Sequence, residues 1–153
     1  MIYAGPSFLC SLYGWDDNTE RAQETFESDA RRPLLFTPWQ RFEVRNAIRL
    51  AAHRLRRTGH TVPFQPGSVF RRMDGDVSAG RLRHQESDWR ETLRLAEEIS
   101  AEHTEDLGAA SMDLWHVASA VLLGADTFWT FDEDQRELAD AAGKFRRVPQ
   151  LRA

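Results

Sequence analysis

Residues 111–134 read SMDLWHVASAVLLGADTFWTFDED, and this stretch decides the fold. It opens with an acid, Asp113, and continues through apolar residues with helical spacing to a stop at Gly124. A short apolar run follows, and acids return at Asp132. The pattern predicts a helix over 111–123 and a strand over 127–131, which is a unit typical of α/β proteins.

The rest of the chain continues this alternation. We predict further strands over 1–4, 34–36 and 145–148, and further helices over 7–13, 17–30, 37–57, 87–103 and 134–142. The segment 59–80 is rich in proline and glycine and is predicted to be irregular, with room for one short helix. Short strands alternating with helices predict one α/β domain over 1–153 with a mainly parallel sheet.

Composition narrows the class of protein. A chain of 153 residues with 41% apolar and 29% charged residues is typical of one globular domain. Its net charge of −4 gives no general attraction to nucleic acid or to anionic lipid. The lone Cys10 excludes a disulfide framework, and no apolar run approaches the ~20 residues of a membrane span. We therefore expect a cytoplasmic protein without a membrane partner.

Two carboxylates fall where apolar residues are expected, on the inward faces of predicted helices. The positions one and two turns later are apolar: Ala47, Leu50 and Ala51 follow Glu43, and Val117, Ala120 and Val121 follow Asp113. A buried carboxylate needs a partner, because leaving it unpaired costs several kcal/mol. Asp132 directly follows a strand, at the edge where open α/β sheets bind ligands.

Each acid also has a structural interpretation. Glu43 could pair with a core arginine, Asp113 could favour the dipole at the start of its helix, and Asp132 could be an N-cap. Taken together, the three acids predict a shared cation, because clustered carboxylates repel one another unless a metal neutralises them. Oxygen ligands without cysteine favour Mg²⁺ or Mn²⁺, which commonly serve phosphoryl chemistry.

These residues resemble the PIN-domain family, and specifically the VapC-like ribonuclease toxins of type II toxin–antitoxin pairs. The resemblance covers nearly the whole chain and is carried by MIYAGPSFL (1–9), FEVRNAIRL (42–50) and DLWHVASAVLLGADTFWTFDEDQRELADAAG (113–143). It implies a three-layer α/β/α sandwich around a mainly parallel sheet of four to five strands. It also implies Mg²⁺- or Mn²⁺-dependent endonucleolytic RNA cleavage, a VapB-like antitoxin partner and a homodimer.

The resemblance also implies roles for individual residues. The catalytic metal ligands are Glu43, Asp113 and Asp132, with Asp134 as a further metal-binding acid. The small hydroxyl residues that support the metal site are Ser7 and Thr130.

Two departures from the family pattern concern the same site. The family has an aspartate at the end of the first strand, where this chain has Gly5, and an arginine in the segment that here reads GAAS (108–111). Losing the first acid removes a central metal ligand, so two hypotheses stay open. One is a metal-dependent ribonuclease, and the other is an inactive PIN domain, natural or engineered, that binds an antitoxin or RNA. A metal-dependent phosphatase or DNase is a third interpretation of the same acids.

Candidate RNA-binding residues lie on the same predicted helices. Arg41, Arg45 and Arg49 form a stripe at i, i+4 and i+8 beside Glu43, and His116 is one turn after Asp113. Arginines in such a stripe suit phosphate contacts, but also suit a solvated helix face or salt bridges to acids of a partner. His116 could contact RNA, orient Asp113, or pack at the start of its helix.

Overall fold

The described part of the computed structural model, residues 1–29 and 31–151, contains a four-stranded, wholly parallel sheet. Its strands are β1 (Ile2–Ala4), β2 (Leu34–Phe36), β3 (Leu82–His84) and β4 (Thr127–Trp129). They lie in the order β3-β2-β1-β4, so the first strand is central. Ala4 is paired with Trp129, which brings the carboxyl ends of β1 and β4 side by side.

The helices connect and cover these strands. They are α1 (Pro6–Tyr13), α2 (Thr19–Ser28), α3 (Pro38–Arg57), α4 (Pro66–Ser78), α5 (Trp89–Leu107), α6 (Ser111–Leu122) and α7 (Glu133–Ala141). None of the helices in the described ranges is long and apolar enough to cross a membrane.

Two apolar clusters hold the helices on opposite faces of the sheet, because successive strand residues point to opposite sides. Ile2 and Leu34 pack with residues of α1, α2, α3 and α4, whereas Tyr3, Leu35 and Phe128 pack with residues of α5, α6 and α7. The α/β class and the three-layer arrangement predicted from the sequence are therefore confirmed.

The start of α3 is fixed by a capping box, as the Thr37-Pro38 sequence indicates. The backbone N–H of Gln40 donates to the Thr37 hydroxyl (3.1 Å), and the Thr37 N–H donates to Oε1 of Gln40 (2.7 Å). Nε2 of Gln40 also donates to the carbonyl of Ala4 (2.7 Å), which ties the start of α3 to the end of β1. Glu43, one turn on, is thereby held near the carboxyl edge of the sheet.

Two sequence predictions about secondary structure are wrong. Segment 59–80 holds the full-length helix α4, and the unpredicted strand β3 follows it at the edge of the sheet. The predicted strand over 145–148 reduces to a single bridge between Arg147 and Thr127. The predicted end of the second helix, at Ala30, lies outside the described residues.

Candidate functional site

A small cleft of about 140 Å³ lies at the carboxyl edge of the sheet. The residues that line it come from four helices and from the loop after β4: Pro6, Ser7, Glu43, Met112, Asp113, His116, Asp132 and Gln135. The three acids singled out in the sequence, Glu43, Asp113 and Asp132, therefore face one cleft. This is the edge at which open parallel sheets bind ligands.

Asp132 is held by a loop that two hydroxyl residues brace. Its carboxylate caps α7 by accepting from the Gln135 N–H (3.2 Å), as one structural interpretation of the sequence expects. Its own N–H donates to the Thr130 hydroxyl (3.1 Å), which is 2.8 Å from the Ser7 hydroxyl. Ser7 also accepts from the N–H of Phe131 (3.1 Å), so the first helix fixes the loop that carries the acid.

Glu43 faces a buried histidine and not an arginine, so the predicted pairing with a core arginine is wrong. Oε2 of Glu43 lies 2.8 Å from Nε2 of His116. The ring is not aligned for a hydrogen bond, and neither atom has another hydrogen-bond partner among the described residues. The buried stripe of α3 consists of Gln40, Val44, Ile48 and Ala52, with Glu43 beside it and Leu50 exposed. The face of α3 that was predicted to be buried therefore differs from the observed one by a shift of one residue.

Tyr3 contacts the imidazole ring of His116. Its hydroxyl lies 2.8 Å from Nδ1 of His116. Burial and the charge of Glu43 raise the pKa of Tyr3 far above its usual value, so the hydroxyl beside Nδ1 stays protonated. His116 is only 1% exposed, which fits packing at the floor of the cleft.

Asp113 lies in the first turn of α6 and is partly buried, with Val117 and Ala120 buried behind it as predicted. Burial raises the pKa of the Asp113 carboxyl, and the charge of Asp132 adds to this effect. A hydrogen bond from Nε2 of Gln135 to Oδ1 of Asp113 (2.9 Å) opposes it. The neutral donor therefore offsets only part of the cost of burying this carboxylate.

Gln135 also fills the space beside Gly5. A Cβ atom added at position 5 would lie 2.1 Å from Oε1 of Gln135 and 3.2 Å from the Thr130 hydroxyl. Gly5 has an extended backbone (φ −62°, ψ 161°), so any residue could adopt its conformation. A side chain at position 5 would therefore meet no backbone strain, but it would have to displace the amide of Gln135.

Other predicted site residues lie outside this cleft. Asp134 is exposed and does not line it, although its charge raises the pKa of Asp113. Arg41 and Arg45 both pair with Asp74 of α4, at 3.0 and 2.7 Å. With Arg49 they line a separate groove of about 320 Å³.

Two residues of the site, Tyr3 and Gln135, were not predicted from the sequence. Tyr3 is hidden within an apolar strand, and no local pattern marks its hydroxyl. Gln135 did carry a signal, because it stands three residues after the N-cap Asp132, where a polar side chain commonly returns to the cap.

The oxygen donors around the cleft fit a hard divalent cation in chemical type. Glu43 Oε2 and Gln135 Oε1 are buried acceptors without a hydrogen-bond partner among the described residues, and such atoms call for a donor or a cation. Their spacing is not that of a formed metal centre. Within residues 1–29 and 31–151, no group of three or more His, Cys, Asp or Glu side chains could hold an ion as they stand. Binding one requires these side chains to draw together.

No family model matches the chain, and no curated protein sequence matches it either.

Proposed function

We propose that this protein is a PIN-like endoribonuclease that depends on Mg²⁺ or Mn²⁺, the toxin of a VapBC-type pair, and that Gly5 keeps its activity low. One observation carries the proposal. Glu43, Asp113 and Asp132, which come from α3, α6 and the cap of α7, line the same small cleft at the carboxyl edge of a parallel sheet. Three carboxylates directed into one cleft repel one another unless a cation is shared.

In this proposal Glu43, Asp113 and Asp132 hold the ion. Such an ion, when bound, makes a water molecule nucleophilic near neutral pH and stabilises charge on the phosphate under attack. The other residues position these ligands. The loop braced by Ser7 and Thr130 orients Asp132, and His116, which contacts Tyr3, lies 2.8 Å from the Glu43 carboxylate.

RNA is the proposed substrate, and the arginine stripe of α3 supports it. Arg41 and Arg45 share the single carboxylate of Asp74, so this surface keeps an excess of positive charge. The guanidinium of Arg49 lies 4.7 Å from the centre of the Phe70 ring. Phosphates of a strand approaching the cleft would meet this charge, and each such contact adds salt-dependent affinity. The antitoxin partner and the homodimer belong to the same proposal.

The test restores the missing acid and measures cleavage. The chain, the Gly5→Asp variant and the Gly5→Asn variant are incubated with single-stranded RNA and Mn²⁺ or Mg²⁺. Asp and Asn displace the Gln135 amide equally, but only Asp adds a charged ligand. We expect Gly5→Asp to cleave RNA faster than the chain by orders of magnitude, and Gly5→Asn not to. Equal rates for both variants, or no cleavage by either, would overturn the proposal.

A second candidate function is a binding module without catalysis, and the Gln135 amide beside Gly5 favours it. Such a module binds RNA or the antitoxin equally well in EDTA and in Mn²⁺. It also shows no cleavage after Gly5→Asp. Fluorescence anisotropy of a labelled RNA under both conditions separates this function from the first.

A further inference from the structure

Gln135 occupies the position in α7 at which a side chain normally closes a capping box. Gln40 stands at the same position in α3, and there the side chain does return to the N-cap N–H (2.7 Å). In α7 the N-cap N–H, that of Asp132, donates to the Thr130 hydroxyl instead (3.1 Å). The Gln135 amide is thereby released from capping and turns into the cleft.

Inside the cleft the amide takes a place that a side chain at position 5 would contest. Gln135 is 2% exposed, and its Nε2 donates to Oδ1 of Asp113. Its Oε1 would lie only 2.1 Å from a Cβ at position 5 and has no hydrogen-bond partner among the described residues. Any residue other than glycine at position 5 would force this amide to move.

The geometry points to Gln135 as a built-in competitor of the metal ion, a neutral donor that satisfies Asp113 in the space that Gly5 leaves open. This inference rests on the proposed function, because it takes Asp113 as a ligand of the ion. The competition has a simple physical origin. A carboxylate oxygen engaged by an N–H must give up that hydrogen bond before it can coordinate a cation.

The size of the competition follows from the strength of that hydrogen bond. Hydrogen bonds to charged groups are stronger than neutral ones, and losing one costs enough to change an equilibrium constant about tenfold or more. Removing the amide therefore makes the ion bind more tightly, even though it also removes an oxygen from the cleft.

The experiment measures Mn²⁺ binding by isothermal titration calorimetry, with no RNA present. We expect the Kd for Mn²⁺ of Gln135→Ala to be about tenfold lower than that of the chain. A weaker affinity in Gln135→Ala would show that the amide oxygen is itself a ligand, and an unchanged affinity would show that the amide does not compete. Either result would overturn the inference.

Two further variants complete the design. Gln150→Ala removes an exposed glutamine outside the cleft, and it should leave the Kd unchanged. If Gln135→Ala does not fold, Gln135→Met keeps most of the volume but cannot donate a hydrogen bond, and it should also bind Mn²⁺ more tightly. The inference and the proposed function fail separately. Tighter Mn²⁺ binding without RNA cleavage by Gly5→Asp refutes only the function, whereas cleavage without tighter binding refutes only the competition.

Discussion

The contact between Gly5 and Gln135 predicts that two positions far apart in the sequence are energetically coupled. In Gly5→Ala, the added Cβ would lie 2.1 Å from Oε1 of Gln135, so the amide must leave Asp113. The lost hydrogen bond to a charged group costs about 1.5–3 kcal/mol. Alanine at this extended position returns about 0.4–1 kcal/mol by reducing the entropy of the unfolded chain. We expect a net loss of about 0.5–2.6 kcal/mol in the free energy of unfolding.

The same substitution in a Gln135→Ala background should have the opposite sign. With the amide gone, the entropic gain is opposed only by the 3.2 Å contact with the Thr130 hydroxyl, and Gly5→Ala should stabilise the fold by up to about 0.4–1 kcal/mol. Urea unfolding of the four proteins gives the coupling energy directly, provided that the m-values agree. An equal effect of Gly5→Ala in both backgrounds would refute the contact on which this reasoning depends.

Three further predictions concern stability. Burial raises the pKa of Asp113 in the folded protein, so the folded state favours the protonated carboxyl. The stability gained in this way is present below the pKa of the unfolded chain and is lost as pH rises through the pKa of the folded protein. Asp113→Asn should therefore stabilise the fold modestly near neutral pH, because solvent screens this half-buried carboxyl, and thermal unfolding should show the gain vanishing in acid; a gain independent of pH contradicts this. Although burial opposes it, hydrogen bonds from the α-amino group and Thr127 lower the pKa of Asp126 to about 2. The stability that ionised Asp126 contributes is lost as pH falls from the pKa of the unfolded chain through about 2. In that window the free energy of unfolding of Asp126→Asn should depend less on pH than that of the chain, and an equal dependence would contradict this prediction. Phe8→Ala should cost about 3–5 kcal/mol in urea unfolding, since Phe8 is fully buried and stacked on Phe131; a cost below about 1 kcal/mol would contradict this packing.

The elements with strong apolar periodicity were predictable from the sequence, and the edge of the sheet was not. Helix α6 and strand β4 carry apolar patterns that are typical of a buried helix followed by a buried strand. Strand β3 reads LRH, and only Leu82 is buried, so its pattern is that of a polar loop. It becomes a strand because β2 offers unpaired backbone groups, which is a tertiary cause. The proline in α4 is at its first helical position, where proline is tolerated, and so did not break the helix.

The candidate site was predictable in its acids but not in their partners. Helical spacing marked Asp113 correctly and Glu43 with a face one residue out of phase, and the position after a strand marked Asp132. The structure places all three at one cleft. The partners His116 and Gln135 reach these acids across the fold, through contacts between separate helices. No local pattern encodes which of several polar side chains meets which acid, because the packing of the helices decides it.

In the proposed function, the carboxylates of Glu43, Asp113 and Asp132 share a single divalent cation. Anomalous diffraction from Mn²⁺-soaked crystals of the chain and of its Gly5→Asp variant tests this claim most directly. We expect one manganese peak in the cleft of the variant, within coordination distance of carboxylate oxygens of all three residues, and a weaker peak at the same place in the chain. A peak elsewhere, or an empty cleft in the variant with the three carboxylates held by hydrogen bonds alone, would contradict it.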